Sequence, residues 1–199
     1  MKKRVIAIYG PDNSGKTTVI NGMAKRIIST TQDTLNGYKL ISAEVFKYDK
    51  WMEYNEFFEN HRYESQWNYC YLIKIAKDSK EKIIGITTLG DVFKTVNGSV
   101  VDFSKDEFDL GRIDEYLDTI DKETVLNHIL NIYKKQKCDF YIIALHKCMI
   151  DNVKDMFDKI GITEEEIEFK EQKKYSEPKN NEQIKQIEDS YITILKNNL

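Results

Sequence analysis

The residues best suited to chemistry lie near the start of the chain, in the octapeptide Gly10-Pro11-Asp12-Asn13-Ser14-Gly15-Lys16-Thr17. Gly10 and Gly15 allow backbone turns that bulkier residues resist, so that successive N–H groups can point toward an anion. Lys16 adds a cation, and the Thr17 hydroxyl is a suitable ligand for Mg²⁺. This spacing therefore predicts a site that binds phosphate groups together with a divalent cation. We call this segment the 10–17 loop.

The sequence on both sides of the 10–17 loop supports that prediction. Residues 4–9 form a short apolar run rich in β-branched residues, which is typical of a buried parallel strand. After the loop, apolar residues recur at helical spacing from Val19 to Ile28 and predict a helix that begins near Lys16. The unpaired N–H groups and the dipole at the start of such a helix favour an anion. Thr18, in the first turn, is therefore a further candidate for phosphate binding.

The octapeptide fits the pattern G-x-x-x-x-G-K-[ST], the Walker A motif. With its flanks, over about the first thirty residues, the chain resembles the P-loop NTPase superfamily. The resemblance implies that ATP and Mg²⁺ are the cofactors and that residues 10–18 hold the triphosphate. It also implies that Lys16 contacts the β- and γ-phosphates during catalysis and that Thr17 ligates the metal.

Asp49 is a candidate catalytic residue because it follows a predicted strand at residues 38–46. In many P-loop kinases, an acidic residue after the second strand faces the phosphate acceptor. The resemblance therefore implies that role for Asp49. On position alone, a solvated loop carboxylate is the alternative.

Asp91 is a candidate for both catalysis and metal binding, since it follows a predicted buried strand at residues 83–88. In the kinase-like and GTPase-like members of the superfamily, the third strand lies beside the first and delivers a carboxylate toward Mg²⁺. The resemblance implies this role for Asp91, with Thr87 or Thr88 near the γ-phosphate. A simple turn at Gly90-Asp91 is the alternative interpretation.

The segment after the strand predicted at residues 138–146 bears on the identity of the base. GTPases carry Asn-Lys-x-Asp there, and its carboxylate reads the guanine edge. This chain has His146-Lys147-Cys148-Met149-Ile150-Asp151, so the asparagine is a histidine and the acid comes two residues late. The sequence therefore favours ATP over GTP.

Apolar strand-like runs alternate with amphipathic helices along the chain, which predicts an α/β fold. We expect a three-layer α/β/α arrangement around a mainly parallel five-stranded sheet of the P-loop NTPase type. The whole chain, residues 1–199, is predicted to form one domain. Two segments interrupt the pattern: a mostly helical, aromatic-rich insert at about 51–78 and an acidic insert at about 92–120.

Composition restricts the class of partner. The net charge is −3 with 32% charged residues, so no overall basic field favours nucleic acid as a partner. No stretch approaches 18 consecutive apolar residues, which argues against a membrane span. The three cysteines form no C-x-x-C pair and are odd in number. They are typical of reduced thiols, and we expect a cytoplasmic protein.

Three functions are compatible with these features. The first is a kinase-like phosphotransferase that binds a nucleoside triphosphate and acts on a small-molecule acceptor similar to a nucleoside or nucleotide. The second is an ATP-dependent switch, in which loops respond to the γ-phosphate. The third is an interaction protein with a degenerate nucleotide site. The resemblance to nucleoside and nucleotide kinases places the phosphotransferase first.

Overall fold

Seven β-strands form one mixed sheet in the part of the chain that the computed structural model describes, namely residues 2–11, 14–47, 50–63, 69–88, 122–146, 150–173 and 180–199. The strands are β1 (Val5–Gly10), β2 (Lys39–Lys47), β3 (Lys50–Glu53), β4 (Cys70–Lys77), β5 (Lys80–Thr87), β6 (Phe140–His146) and β7 (Ile167–Glu171). Their order across the sheet is β3-β2-β4-β5-β6-β1-β7. The strand that precedes the 10–17 loop therefore lies inside the sheet, between β6 and β7.

Six α-helices accompany the sheet within the same ranges: α1 (Lys16–Ser29), α2 (Thr31–Thr34), α3 (Tyr54–Asn60), α4 (Lys122–Lys135), α5 (Ile150–Asp158) and α6 (Asn181–Asn198). The start of α6 is fixed by a reciprocal cap, in which the Asn180 side chain accepts from the Gln183 N–H and the Gln183 side chain accepts from the Asn180 N–H. The chain turns away after α5 at Gly161, whose φ of 80° suits a glycine.

Strand direction determines which loops share an edge of the sheet. β1 is parallel to β6 and β7, and β5 is parallel to β6. β4 is antiparallel to both β2 and β5, and β3 is antiparallel to β2. As a result, β1, β2, β5, β6 and β7 all run in one direction and end at one edge. We call this the carboxyl edge.

The expectation of a mainly parallel five-stranded sheet of the P-loop NTPase type is wrong. The sheet has seven strands and is mixed, and the antiparallel ladders contain the larger share of its paired residues. The main physical cause is the hairpin of β4 and β5, whose two-residue turn places Asp78 and Ser79 at φ of 50° and 61°. Such turns match the twist of paired antiparallel strands.

The aromatic-rich segment at 51–78 was expected to be mostly helical, but only Tyr54–Asn60 is helical among its described residues. Cys70–Lys77 is the strand β4 instead. Its side chains alternate between the two faces: Tyr71 and Ile73 pack in one hydrophobic cluster, and Cys70 and Leu72 pack in the other. A period of two is the signature of a strand. The acidic insert at about 92–120 lies outside the described residues.

Each face of the sheet has its own hydrophobic cluster. Ile6 and Ile8 of β1 pack with residues of α1 and α6 on one face. Val5 and Ala7 of the same strand pack with residues of α4 and α5 on the other. All four side chains are completely buried, so β1 and the start of the 10–17 loop are held from both sides. None of the helices in the described ranges is both long and apolar enough to cross a membrane.

Gly85 of β5 lies directly beneath the ring of Tyr133 from α4. A Cβ added at residue 85 would lie 2.9 Å from Cγ of Tyr133, and that ring is completely buried. We therefore predict that Gly85→Ala lowers the free energy of unfolding by about 1–3 kcal/mol, the usual cost of overpacking a core. Urea unfolding measures this.

The same change in a Tyr133→Leu background tests the cause. The penalty of Gly85→Ala should shrink there, because the smaller side chain leaves room for the methyl group. A penalty of the same size in both backgrounds would show that the ring of Tyr133 is not what excludes a side chain at residue 85.

Candidate phosphate-binding site

The 10–17 loop connects the carboxyl end of β1 to the start of α1, as the sequence predicts. Gly10 is the last residue of β1 and lies opposite His146 of β6 in the ladder. Gly15 precedes α1 with φ of 84°, a left-handed conformation that disfavours a side chain. The first turn of α1 contains no acidic residue, so the positive end of the helix dipole is not neutralised there.

Gly10 is required because another part of the backbone approaches it closely. A Cβ added at Gly10 would overlap the carbonyl oxygen of Gln172 and would lie 3.2 Å from Ser14 Oγ. The Gln172 N–H donates to the carbonyl of Tyr9 at 2.7 Å, so Gln172 continues the pairing of β7 with β1. Because the hydrogen bond of its N–H fixes Gln172 beside Tyr9, its carbonyl oxygen leaves no space for a methyl group at residue 10.

The Lys16 side chain folds back into the loop and is 1% exposed. Its Nζ donates to the carbonyl oxygens of Gly10 at 3.1 Å and Pro11 at 2.7 Å, and to Ser14 Oγ at 3.0 Å. A buried ammonium needs such partners because desolvation is costly. These neutral oxygens occupy the positions around the cation that anionic phosphate oxygens could take. The residues present therefore fit a phosphate ligand.

The remaining residues predicted for phosphate binding are only partly described. Thr17 and Thr18 are partly exposed in the first turn of α1, where a ligand and a metal ion can approach them. Asp12 and Asn13 lie outside the described residues.

The strand predicted to carry the metal-binding acid does not lie beside β1. β6 separates β1 from β5, so the expectation of adjacent strands is wrong. Asp91 itself lies outside the described residues, and its role stays a prediction. Within the described ranges, no three His, Cys, Asp or Glu side chains come together as metal ligands.

Thr87 and Thr88, expected near the γ-phosphate, are completely buried. The hydroxyl of Thr87 lies 3.2 Å from the thiol of Cys70, and Thr88 Oγ1 accepts from the Tyr69 N–H at 2.9 Å. These contacts join the end of β5 to the start of β4. Both side chains therefore have a structural role in the β4–β5 pairing.

Asp49 lies outside the described residues, but the strand it follows can be placed. Three strands, β4, β5 and β6, separate β2 from β1. With neighbouring strands about 4.8 Å apart, the end of β2 lies about 19 Å from the end of β1 along the carboxyl edge. The role of Asp49 toward an acceptor stays a prediction, and it requires an acceptor that spans much of this distance.

Two residues that the sequence does not indicate, Gln172 after β7 and Tyr191 of α6, support the start of the 10–17 loop. Gln172 is 3% exposed, and its side-chain Oε1 accepts from the Tyr191 hydroxyl of α6 at 3.2 Å. Neither residue belongs to a recognisable motif, and they are distant from the loop in sequence. The pairing of β7 with β1 brings Gln172 to the loop, and the packing of α6 against α1 and β1 brings Tyr191. Sequence spacing gives no sign of either.

Helix α6 also contacts α1 directly. Glu188 is 9% exposed, and its carboxylate lies over Gly22, where a Cβ would overlap it. Burial raises the pKa of Glu188 above its ordinary value, and the neighbouring Asp189 carboxylate raises it further, whereas Arg26 and Lys185 oppose the shift. The helix that begins with Lys16 is thus packed against a carboxyl group of α6 whose pKa is raised by burial.

Known proteins give no independent guide to this site. Comparisons of the chain with protein-family models, with curated proteins and with solved structures find no match. The residues of the 10–17 loop and the contacts described above are therefore the observations on which a functional proposal rests.

The raised pKa of Glu188 predicts a particular dependence of stability on pH. The Glu188 carboxyl group binds a proton more tightly in the folded protein than in the unfolded chain. Its contribution to the free energy of unfolding is therefore complete below pH 4.5, the pKa of an ordinary glutamate, and is lost as the pH rises through the higher pKa of the folded state. We predict that Glu188→Gln, which stays uncharged, makes the free energy of unfolding less dependent on pH above that value. Urea unfolding across this range measures the effect.

Glu182→Gln is the matched control, because Glu182 lies exposed in the first turn of the same helix. Its pH profile should follow that of the wild-type protein. If the free energy of unfolding depends on pH equally in the wild type and in Glu188→Gln, the raised pKa does not belong to Glu188.

Proposed function

We propose that this protein binds ATP with Mg²⁺ at the 10–17 loop and transfers the γ-phosphoryl group, as a kinase-like phosphotransferase that acts on a small-molecule acceptor. The observation that carries the proposal is the buried ammonium of Lys16, held by Gly10, Pro11 and Ser14. A cation kept out of water among loop oxygens is arranged to receive an anion.

The energetics of Lys16 favour phosphate over its present partners. The Lys16 ammonium is opposite in charge to a triphosphate oxygen, whereas the carbonyl and hydroxyl oxygens of Gly10, Pro11 and Ser14 are neutral. Exchange of these neutral acceptors for triphosphate oxygens therefore adds a Coulombic attraction to the hydrogen bonds of the ammonium. In phosphoryl transfer the protein acts mainly by positioning groups and by neutralising charge, and a fixed lysine does both.

Each part of the 10–17 loop has a role in this proposal. Gly10 allows the close approach of Gln172, and Gly15 allows the left-handed backbone conformation before α1. The N–H groups at the start of α1 face the phosphates. Thr17, together with Asp91, would hold Mg²⁺, which supplies charge neutralisation on the triphosphate when it is bound. Thr18 contributes from the first turn of α1.

The proposed base is adenine. A guanine-reading carboxylate would have to stand two residues earlier than Asp151, and Asp151 is exposed in the first turn of α5. We further propose a cytoplasmic location, where ATP is available and thiols stay reduced. Cys70 and Cys138 suit that environment, because burial raises the pKa of each thiol to about 12 and makes it unreactive.

One observation favours a second candidate, an ATPase that acts as a switch. The end of β2 lies about 19 Å from the end of β1, so the strand expected to present an acceptor is remote from the 10–17 loop. Water as the acceptor requires no such strand. In that case, hydrolysis of ATP would change the state of loops at the carboxyl edge.

Lys16→Ala is expected to raise the dissociation constant for ATP–Mg²⁺ by roughly a hundredfold, because it removes several charge-assisted hydrogen bonds. Isothermal titration calorimetry measures this. Lys25→Ala is the matched control, since Lys25 lies exposed on the same helix and should leave affinity unchanged. Unchanged ATP binding by a folded Lys16→Ala protein would refute the proposed site.

Turnover separates the candidate functions. ADP release from ATP–Mg²⁺ is measured with and without pooled nucleosides, nucleotides and sugars. We expect the pool to stimulate turnover, Asp91→Asn to lower it under all conditions by roughly a hundredfold, and Asp49→Asn to lower only the stimulated part. Slow turnover that ignores the pool would support the switch instead. ATP binding without turnover would support an interaction protein with a degenerate site.

A further inference from the structure

The chain immediately after β7 determines where the 10–17 loop begins. The Gln172 N–H donates to the Tyr9 carbonyl at 2.7 Å, and the Gln172 carbonyl oxygen lies against Cα of Gly10. This approach is close enough to exclude a side chain at Gly10. Any displacement of Gln172 must therefore displace the end of β1 as well.

The side chain of Gln172 is in turn held by α6. The Tyr191 hydroxyl donates to Gln172 Oε1 at 3.2 Å, and both residues are buried, with 5% and 3% of their surface exposed. A phenylalanine would fill the same space in the core, so the hydroxyl is not needed for packing. Its removal would leave the buried amide oxygen of Gln172 without this donor.

A continuous set of contacts thus links α6 to the cation of the site. Tyr191 contacts the side chain of Gln172, the backbone of Gln172 contacts Gly10, and the Gly10 carbonyl accepts from Lys16 Nζ at 3.1 Å. One turn earlier on α6, Glu188 lies over Gly22 of α1. Helix α6 therefore contacts both the strand end before the loop and the helix after it.

We infer that Tyr191 is a positioning residue for the 10–17 loop: through Gln172 it sets the location of Gly10, and thereby the location of the Lys16 ammonium that binds phosphate. The inference rests on the proposed function, since Tyr191 would position the same phosphate-binding loop. It differs from a role in core packing alone, because it makes phosphate affinity depend on one hydroxyl group.

The test is Tyr191→Phe, with dissociation constants for ATP and for inorganic tripolyphosphate measured by calorimetry in the presence of Mg²⁺, well below the melting temperature. Both constants should rise about three- to tenfold, because a buried hydrogen bond contributes a factor of this order. Tripolyphosphate has no base, so an equal rise in both dissociation constants means that affinity is lost at the 10–17 loop, where the phosphates bind. Tyr38→Phe, the same chemical change at the far end of the sheet, should leave both constants unchanged.

A second variant separates positioning from general stability. Gln172→Met removes the acceptor but keeps the length of the side chain, and it should weaken both ligands as Tyr191→Phe does. Because the two residues act through one hydrogen bond, the double variant should be no weaker than either single variant. If Tyr191→Phe does not fold, Gln172→Met gives the same readout.

The outcomes distinguish this inference from the proposed function. If the wild type binds both ligands while Tyr191→Phe and Gln172→Met bind them equally well with a lower melting temperature, the inference is wrong and the site stands. Effects that add in the double variant would also overturn it. If the wild-type protein binds neither ligand, the proposed function is wrong and the inference falls with it.

Discussion

The candidate site depends on one backbone contact, between Gly10 and the carbonyl oxygen of Gln172. The Gln172 N–H donates to the Tyr9 carbonyl and so fixes Gln172 at the end of β1, and only glycine fits beside its carbonyl oxygen. The position of Gly10 determines where its own carbonyl stands, and this carbonyl accepts a hydrogen bond from Lys16 Nζ. The packing of an interior strand thereby determines the geometry of a charged group at the carboxyl edge of the sheet.

The order of the strands also determines which strand ends lie near the 10–17 loop and which lie far from it. Five strands end at the carboxyl edge, but β4 runs the opposite way between β2 and β5, and β6 lies between β5 and β1. The carboxyl ends of β6 and β7 therefore lie next to that of β1, whereas those of β5 and β2 are progressively further away.

The local features of the site were predictable from sequence because neighbouring residues determine them. Gly15 was expected to take a special backbone conformation, and Lys16 was expected to begin a helix, as both do. The order of strands was not predictable, since it depends on pairings between residues that are distant in the chain. The aromatic residues near β4 pointed to a helix, although Tyr71 and Ile73 alternate with Cys70 and Leu72 as in a strand. Gln172 carries no local signal, because its importance comes from the residue it contacts.

The hairpin of β4 and β5 has a consequence for how the chain reaches its native state. β2, β3, β4 and β5 are consecutive in sequence and pair with one another, so residues 39–87 close only short loops when they associate. β1 instead pairs with β6 and β7, with Val5 opposite Tyr141 and Ile167. The entropy lost on closing such long loops delays these contacts. The antiparallel half of the sheet can therefore form early as a template, and the half that contains the 10–17 loop is completed last, when β6 and β7 pair with β1.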